Sequence, residues 1–222
     1  MRRLTSTVFA LIVAVVNLGA SQTAKAPFGR IGLRHLDSLA QDSAIRRLAP
    51  DAVDGITLYS KVRPDSWLRF GDDELVAFIG LLGRSTRVLS AETCAGLAPG
   101  RGGQDWDKSI TSLLFSLDSL LAVQWTLLVD RQVHVSLENA PIGRLATVDE
   151  VREVMIILRS HFTPTERLRA HRVMLGLDRR PASACWWVRS TYEALSRLPP
   201  QRVAPVLRAL LSGRVPLSAV AV

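Results

Sequence analysis

Residues 110–129 read ITSLLFSLDSLLAVQWTLLV and carry the clearest helical pattern of the chain. Their aliphatic side chains recur at intervals of three and four, the spacing that gathers side chains on one side of an α-helix. These positions are Ile110, Leu113, Leu114, Leu117, Leu120, Leu121, Leu127 and Leu128. A helix of about 20 residues spans roughly 30 Å, the width of a small domain. The pattern therefore predicts a long central helix against which other helices pack.

The same stretch has a length that would suit a transmembrane helix. However, Asp118 lies near its middle and Gln124 follows. An ionised carboxylate in hydrocarbon is costly without a partner. We therefore favour a core helix over a membrane span.

The N-terminus has the three parts of an export signal. Arg2 and Arg3 supply a positive end, Thr7–Val16 is an apolar run, and the small residues Gly19–Ser21 follow it. We predict a signal peptide over residues 1–21 that is cleaved, which makes the mature protein periplasmic or secreted. The alternative is a protein anchored by an uncleaved N-terminal helix.

Cys94 and Cys185 are the only cysteines of the 222 residues. An even number of cysteines in an oxidising compartment suggests a disulfide. We therefore predict a bond between them, and two buried free thiols are the alternative.

The chain after the leader predicts an all-α fold. We expect an extended lead-in over residues 22–36, a single bundle of about six or seven helices over 37–213, and an apolar tail over 214–222. One minor two-stranded element is compatible with the pattern. Residues 55–62 and 133–137 both alternate apolar with polar side chains, although the second segment also fits a continuation of the central helix. The expected helices cover residues 37–49, 72–90, 110–129, 148–161, 164–176, 182–198 and 201–212.

Three local motifs predict helix N-termini. Thr147–Glu150 and Thr163–Glu166 fit the capping box, in which threonine and glutamate bond each other's backbone N–H groups. Gly71–Glu74 places three carboxylates where they complement the positive end of a helix dipole. Three neighbouring carboxylates also suggest a site for a hard cation, but they point in different directions along one helical turn. We favour the cap.

The sequence offers no local signature of catalysis or cofactor binding. It has no G-x-S-x-G elbow and no H-E-x-x-H or C-x-x-C pattern. We therefore assign no catalytic residue, no metal ligand and no cofactor. A pair of carboxylates could still hydrolyse glycosidic bonds, and Glu74, Glu92 and Glu138 are candidates only because they are glutamates.

The positive charge is concentrated in the last third of the chain. Residues 151–222 contain 12 arginines and four acidic side chains, which accounts for the whole net charge of +8. Arginine beside aromatic rings suits anionic partners. The candidate surface surrounds Trp186 and Trp187 and consists of Arg167, Arg169, Arg172, Arg179, Arg180 and Arg189. Its structural alternative is a set of solvated arginines beside a buried tryptophan.

These observations predict an exported, non-catalytic helical protein that acts through surface contacts. The expected partner is an anionic envelope component, such as a lipid head group or an acidic glycan, or an acidic protein. Nucleic acid fits an exported protein poorly. The alternative function is an envelope hydrolase with a carboxylate-based site between helices.

Overall fold

The computed structural model of the chain describes residues 27–63, 65–97 and 104–212. Within these ranges it contains eleven α-helices, two short 3-10 helices and no strand. The all-α prediction is confirmed. The predicted leader at 1–21 and the predicted tail at 214–222 lie outside the described residues.

The α-helices are short and follow one another closely along the chain. In order they are α1 (Pro27–Gln41), α2 (Ser43–Leu48), α3 (Gly55–Tyr59), α4 (Asp72–Ser85), α5 (Ala91–Ala95), α6 (Gln104–Ser116), α7 (Ser119–Leu137), α8 (Val148–Ser160), α9 (Pro164–Met174), α10 (Pro181–Leu195) and α11 (Pro200–Leu211). The 3-10 helices are Ser66–Arg69 and Thr86–Val88.

The fold corrects two sequence predictions about local structure. The lead-in expected to be extended through residue 36 is helical from Pro27 onward, as part of α1. The two segments considered for strand pairing are also helical, since Gly55–Tyr59 forms α3 and residues 133–137 continue α7. For the strand candidates, tertiary packing of an apolar helix face outweighs a short alternating pattern.

The predicted central helix is two helices. α6 ends at Ser116, and Asp118 caps the start of α7 by accepting a hydrogen bond from the Leu121 N–H at 2.8 Å. Leu113, Leu114 and Leu117 are buried as expected, whereas Leu120 and Leu127 are exposed. The break gives α7 a helical phase of its own, which turns its buried side chains Ala122, Trp125, Val129 and Val133 inward.

The contacts of the described residues group into two compact units. Among the described residues, the first unit consists of those from 27 to 70 together with Ile110–Ile142, and the second of those from 71 to 109 together with those from 143 to 212. Each is described by itself.

In the first unit α1 packs against α7 and α3. α3 approaches α1 so closely that a Cβ on Gly55 would lie 2.7 Å from the backbone nitrogen of Asp37. The Asp37 carboxylate accepts a hydrogen bond from the Gly55 N–H at 2.9 Å. On α7, the buried Gln132 side chain donates a hydrogen bond to the hydroxyl of Ser66 at 3.2 Å.

In the second unit α10 is the central element and packs against α4, α5, α8 and α9, while α11 packs against α4 and α8. The predicted disulfide is confirmed, because Cys94 on α5 is bonded to Cys185 on α10. The Tyr192 hydroxyl donates a hydrogen bond to the Leu97 carbonyl at 2.9 Å, and burial raises the pKa of this phenol. These links hold the end of α5 against α10.

Candidate anion-binding surface

The candidate surface lies on α9, the turn after it and the start of α10. The capping box expected at Thr163–Glu166 is present and begins α9. The Glu166 carboxylate accepts from the Thr163 N–H at 2.9 Å, and the Thr163 hydroxyl accepts from the Glu166 N–H at 3.3 Å. The backbone hydrogen bond from Thr163 lowers the pKa of Glu166. Pro164 occupies the first turn, where its missing N–H is not needed.

α9 ends in a tight reversal at Gly176. This glycine has a φ of +69°, a left-handed conformation that other residues adopt only with strain. The N–H groups of Leu177 and Asp178 both donate to the Arg172 carbonyl, at 2.8 and 3.0 Å. The reversal therefore satisfies a terminal carbonyl of the helix and turns the chain towards α10.

A buried carboxylate fixes the turn that leads into α10. The Arg180 guanidinium donates to both Asp178 oxygens, at 3.0 and 2.7 Å, and the Arg180 N–H donates to the same side chain at 3.1 Å. The hydrogen bond from the Arg180 side chain holds the pKa of Asp178 well below its usual range. The Asp178 carboxylate thus accepts all three of these hydrogen bonds from Arg180.

An aromatic cluster connects α9 with α10. The Arg169 guanidinium lies 4.4 Å from the centre of the Trp186 ring, a cation–π contact. The Phe162 ring centre lies 5.9 Å from that of Trp186 and 6.0 Å from that of Trp187. Trp187 is buried, while Trp186 is only half-buried. One tryptophan therefore packs in the core and the other lies under an arginine.

The structure places five of the six candidate arginines on this one segment of the chain. Arg167, Arg172, Arg179 and Arg180 are exposed, and Arg169 covers Trp186. Arg189 differs, because its side chain turns towards α4 and donates to the carbonyls of Thr86 and Leu89 at 2.8 and 3.4 Å. Arg189 therefore belongs to a different part of the second unit.

Exposed leucines lie among these arginines, a feature that the sequence reasoning missed. Leu168 on α9 is 61% exposed, and Leu175 and Leu177 in the reversal are 49% and 67% exposed. Leu168, Arg172 and Leu175 are spaced by four and three residues, so they share one side of the helix. This helical spacing is the feature of the sequence that could have indicated the shared side of Leu168, Arg172 and Leu175. The surface therefore combines exposed apolar and cationic side chains.

The charge of this surface is positive even after its carboxylates are counted. Between Thr163 and Arg180 the chain has five arginines and two acidic residues. Glu166 is part of the capping box and Asp178 is bonded to Arg180. An approaching anion therefore encounters a net positive charge, and both nearby carboxylates are already hydrogen-bonded within the segment.

Two of the three glutamates considered for hydrolysis, Glu74 and Glu138, make local contacts. Glu74 accepts a hydrogen bond from the Gly71 N–H at 2.7 Å, which is the cap expected for α4. Glu138 lies in the first unit, 3.5 Å from His134, whereas Glu74 and Glu92 belong to the second. In the described residues no three His, Cys, Asp or Glu side chains are grouped as metal ligands. The hydrolase alternative stays a prediction.

No helix over the described ranges has the length and apolar character needed to cross a membrane. The disulfide is compatible with an oxidising compartment. No family model, curated protein or solved structure matches the chain.

Proposed function

We propose that this protein is an exported, non-catalytic helical protein that binds the anionic surface of an envelope membrane. The binding surface is the segment from Thr163 to Arg180, called here the Arg–Leu surface. The single observation that supports this function is the presence of exposed Leu168, Leu175 and Leu177 among exposed arginines. The leucines enter the boundary of the acyl chains while the arginines contact lipid phosphates.

Export supports the choice of partner. The leader pattern over residues 1–21 and the Cys94–Cys185 bond both suit a protein that reaches an oxidising compartment. An acidic glycan offers charge but no apolar region for the three leucines, so a lipid surface fits better.

Vesicle binding tests the proposal. The protein is mixed with vesicles of phosphatidylcholine alone or with one third phosphatidylglycerol, and the bound fraction is measured by flotation. We expect binding only with the anionic lipid, and weaker binding as salt is raised. Arg172→Gln and Arg179→Gln should each weaken binding about fivefold, because one basic side chain near such a surface contributes about 1 kcal/mol.

Matched leucine variants distinguish membrane binding by this surface from non-specific binding through any exposed leucine. Leu168→Ser/Leu175→Ser should lose most of the vesicle binding. The control variant Leu120→Ser/Leu127→Ser alters two comparably exposed leucines on α7. Residues 109–130 around them contain no basic side chain. This variant should leave vesicle binding unchanged. Equal loss in both variants, or equal binding to both kinds of vesicle, would contradict the proposal.

Recovery of the protein after expression with its native leader tests the compartment. We expect an envelope or medium fraction whose intact mass lacks the leader and is about 2 Da below that of the reduced chain, since a disulfide forms with loss of two hydrogens. A full-length, reduced protein in the cytosol would contradict export.

A further inference from the structure

Two histidines face one carboxylate where α1 packs against α7 in the first unit. The Nε2 atom of His35 on α1 lies 3.4 Å from the Oδ2 atom of Asp130 on α7. The Nε2 atom of His134, also on α7, lies 3.2 Å from the Oδ1 atom of the same carboxylate. Asp130 therefore lies between an imidazole of its own helix and an imidazole of the neighbouring one.

His134 lies between two carboxylates. Asp130, His134 and Glu138 are spaced by four residues, so they form one row along the end of α7. The Nδ1 atom of His134 lies 3.5 Å from the Glu138 carboxylate, while its Nε2 atom faces Asp130. A neutral imidazole has a single N–H donor, whereas an imidazolium has two. The neutral ring therefore turns one lone pair towards a carboxylate, and protonation removes that conflict.

The contact between the two helices is incompletely hydrogen-bonded. The Nε2 atom of His35 and the Oδ1 atom of Asp130 are buried, and neither has a hydrogen-bond partner among the described residues. Buried polar atoms without a partner are costly. A positive charge on either ring attracts the carboxylate even without aligned N–H groups, because Coulomb attraction depends on distance. Protonation therefore compensates Asp130 at the distances already present.

The other charged groups on α1 and on the helices packed against it have separate contacts or lie in solvent. Arg34 is exposed beside His35. The Asp37 carboxylate accepts a hydrogen bond from the start of α3, which itself carries no charged side chain. On α2, Arg46 donates to the Gln41 side chain and Arg47 to the Ser43 carbonyl.

The charged groups near Asp130 on the other side are arginines with a constant charge. Arg131 follows Asp130 on α7 and has a contact of its own. In the 3-10 helix that packs against α7, Arg69 is paired with Asp65 at 2.9 Å. Arginine stays protonated and aspartate stays ionised throughout the neutral and mildly acidic range. In this cluster the two histidines are therefore the groups whose charge changes there.

We propose that His35, Asp130 and His134 form a proton-sensitive contact that strengthens the packing of α1 against α7 in mild acid. With both rings protonated, two positive charges face the carboxylates of Asp130 and Glu138. With both rings neutral, neither carboxylate has a counter-charge from this pair of histidines. The contact lies within the first unit, so a failure of vesicle binding by the Arg–Leu surface would leave this proposal standing.

The pH range of the effect follows from the ordinary behaviour of the groups. An imidazole in an unfolded chain has a pKa of about 6.5. Stabilisation by a protonated ring is fully present below that pH and is lost as the pH rises into the neutral range. It is lost again below about pH 4, where the carboxylates become protonated. The first unit is therefore most stable between these limits.

Urea unfolding tests the proposal at about pH 5.5 and about pH 7.5, on either side of the unfolded imidazole pKa of about 6.5. We expect the folding equilibrium constant of the wild type to be about fivefold larger at the lower pH, the size that two partly exposed ion pairs give. His35→Gln/His134→Gln should lose this dependence, because glutamine takes up no proton. Asp130→Asn should lose most of it, because the shared carboxylate is gone.

The other two histidines of the chain provide a matched control. His161 and His171 lie in the second unit, and neither is within ion-pair distance of a carboxylate among the described residues. His161→Gln/His171→Gln should therefore keep the fivefold dependence of the wild type. Circular dichroism of each variant checks the fold. A dependence that survives in His35→Gln/His134→Gln, or that disappears in the control variant, would overturn the proposal.

Hydrogen–deuterium exchange of the wild type tests the same contact without any substitution. Amide exchange in peptides from α1 and α7 is compared at the two pH values, after correction for the chemical exchange rate, with α8 of the second unit as the reference. We expect slower exchange in α1 and α7 at the lower pH and a smaller change in α8. Equal protection of α1 and α7 at both pH values would overturn the proposal.

Discussion

Gly143 is a position where one added methyl group would disturb the ion pair of a buried arginine, Arg208. A Cβ there would overlap the Arg208 guanidinium carbon and lie 2.5 Å from its Nε atom. The Arg208 side chain is 3% exposed and pairs with Asp72 at 2.8 Å. Because the guanidinium has little room to move, we expect Gly143→Ala to destabilise the protein by about 1–3 kcal/mol, the usual cost of overpacking. Urea unfolding measures this change.

Gly32 on α1 provides the control for that substitution. A Cβ there would meet its nearest neighbours, including the Thr126 hydroxyl, at 3.6 Å, which is ordinary contact. Gly32→Ala should be neutral or stabilising, since alanine favours the helix by about 1 kcal/mol. A Gly143→Ala protein as stable as the wild type would show that Arg208 can rearrange freely.

Asp178 predicts a dependence of stability on acid. Its pKa is lowered by the hydrogen bond from Arg180, so the folded state favours the charged carboxylate. That stabilisation is fully present above the unfolded pKa of about 3.9 and is lost as the pH falls through the folded pKa. We expect Asp178→Asn to be less stable than the wild type at pH 7, and the difference to shrink below about pH 4.

The urea midpoints of both proteins are measured from about pH 2.5 to about pH 7, a range that brackets the unfolded pKa of about 3.9. Asp149→Asn removes a carboxylate that is 88% exposed and controls for the change in net charge. A constant difference between Asp178→Asn and the wild type down to the lowest pH would contradict the role of this carboxylate.

At the level of single residues, the sequence predicts local partners and misses distant ones. Both threonine–glutamate capping boxes could be predicted because their members are three residues apart. The Asp72–Arg208 pair joins residues far apart in the chain, and no local pattern indicates it. Arg189 was grouped with its neighbours in sequence, although its helix turns it towards α4.

Among the elements, the start of α7 provides the sharpest prediction. The Asp118 side chain accepts a hydrogen bond from the Leu121 N–H. Its loss leaves a terminal N–H of the helix without this acceptor. We therefore expect Asp118→Ala to destabilise the protein by about 1 kcal/mol, measured by urea unfolding. Ser119→Ala, at the adjacent exposed position, should change stability by much less, and equal effects would argue against a capping role.

The same aspartate explains why helices could be predicted better than their boundaries. Aspartate is compatible with the polar side of a long helix and with a cap, and the spacing of the leucines favours the first interpretation. The helices at 148–161, 164–176 and 182–198 were placed within about three residues because a cap or a proline marks their start. The spacing of Leu168, Arg172 and Leu175 places them on one side of α9, but only the structure shows that both leucines are exposed.

For the whole molecule, the disulfide is the covalent link between two distant parts of the chain. Cys94 and Cys185 are 91 residues apart in sequence, and the loop they close includes residues 110–142 of the first unit. In the chain-entropy model such a bond stabilises the folded state by on the order of 4.5 kcal/mol, because it restricts the unfolded chain. This is a large share of the stability of an ordinary domain.

We therefore expect Cys94→Ala/Cys185→Ala to unfold at a much lower urea concentration than the oxidised wild type. Wild type unfolded in the presence of reductant should approach the double variant, since both lack the cross-link. Each single variant should match the double variant, because one cysteine cannot form the bond. If the double variant kept the midpoint of the oxidised wild type, the bond would contribute no stability to the folded state.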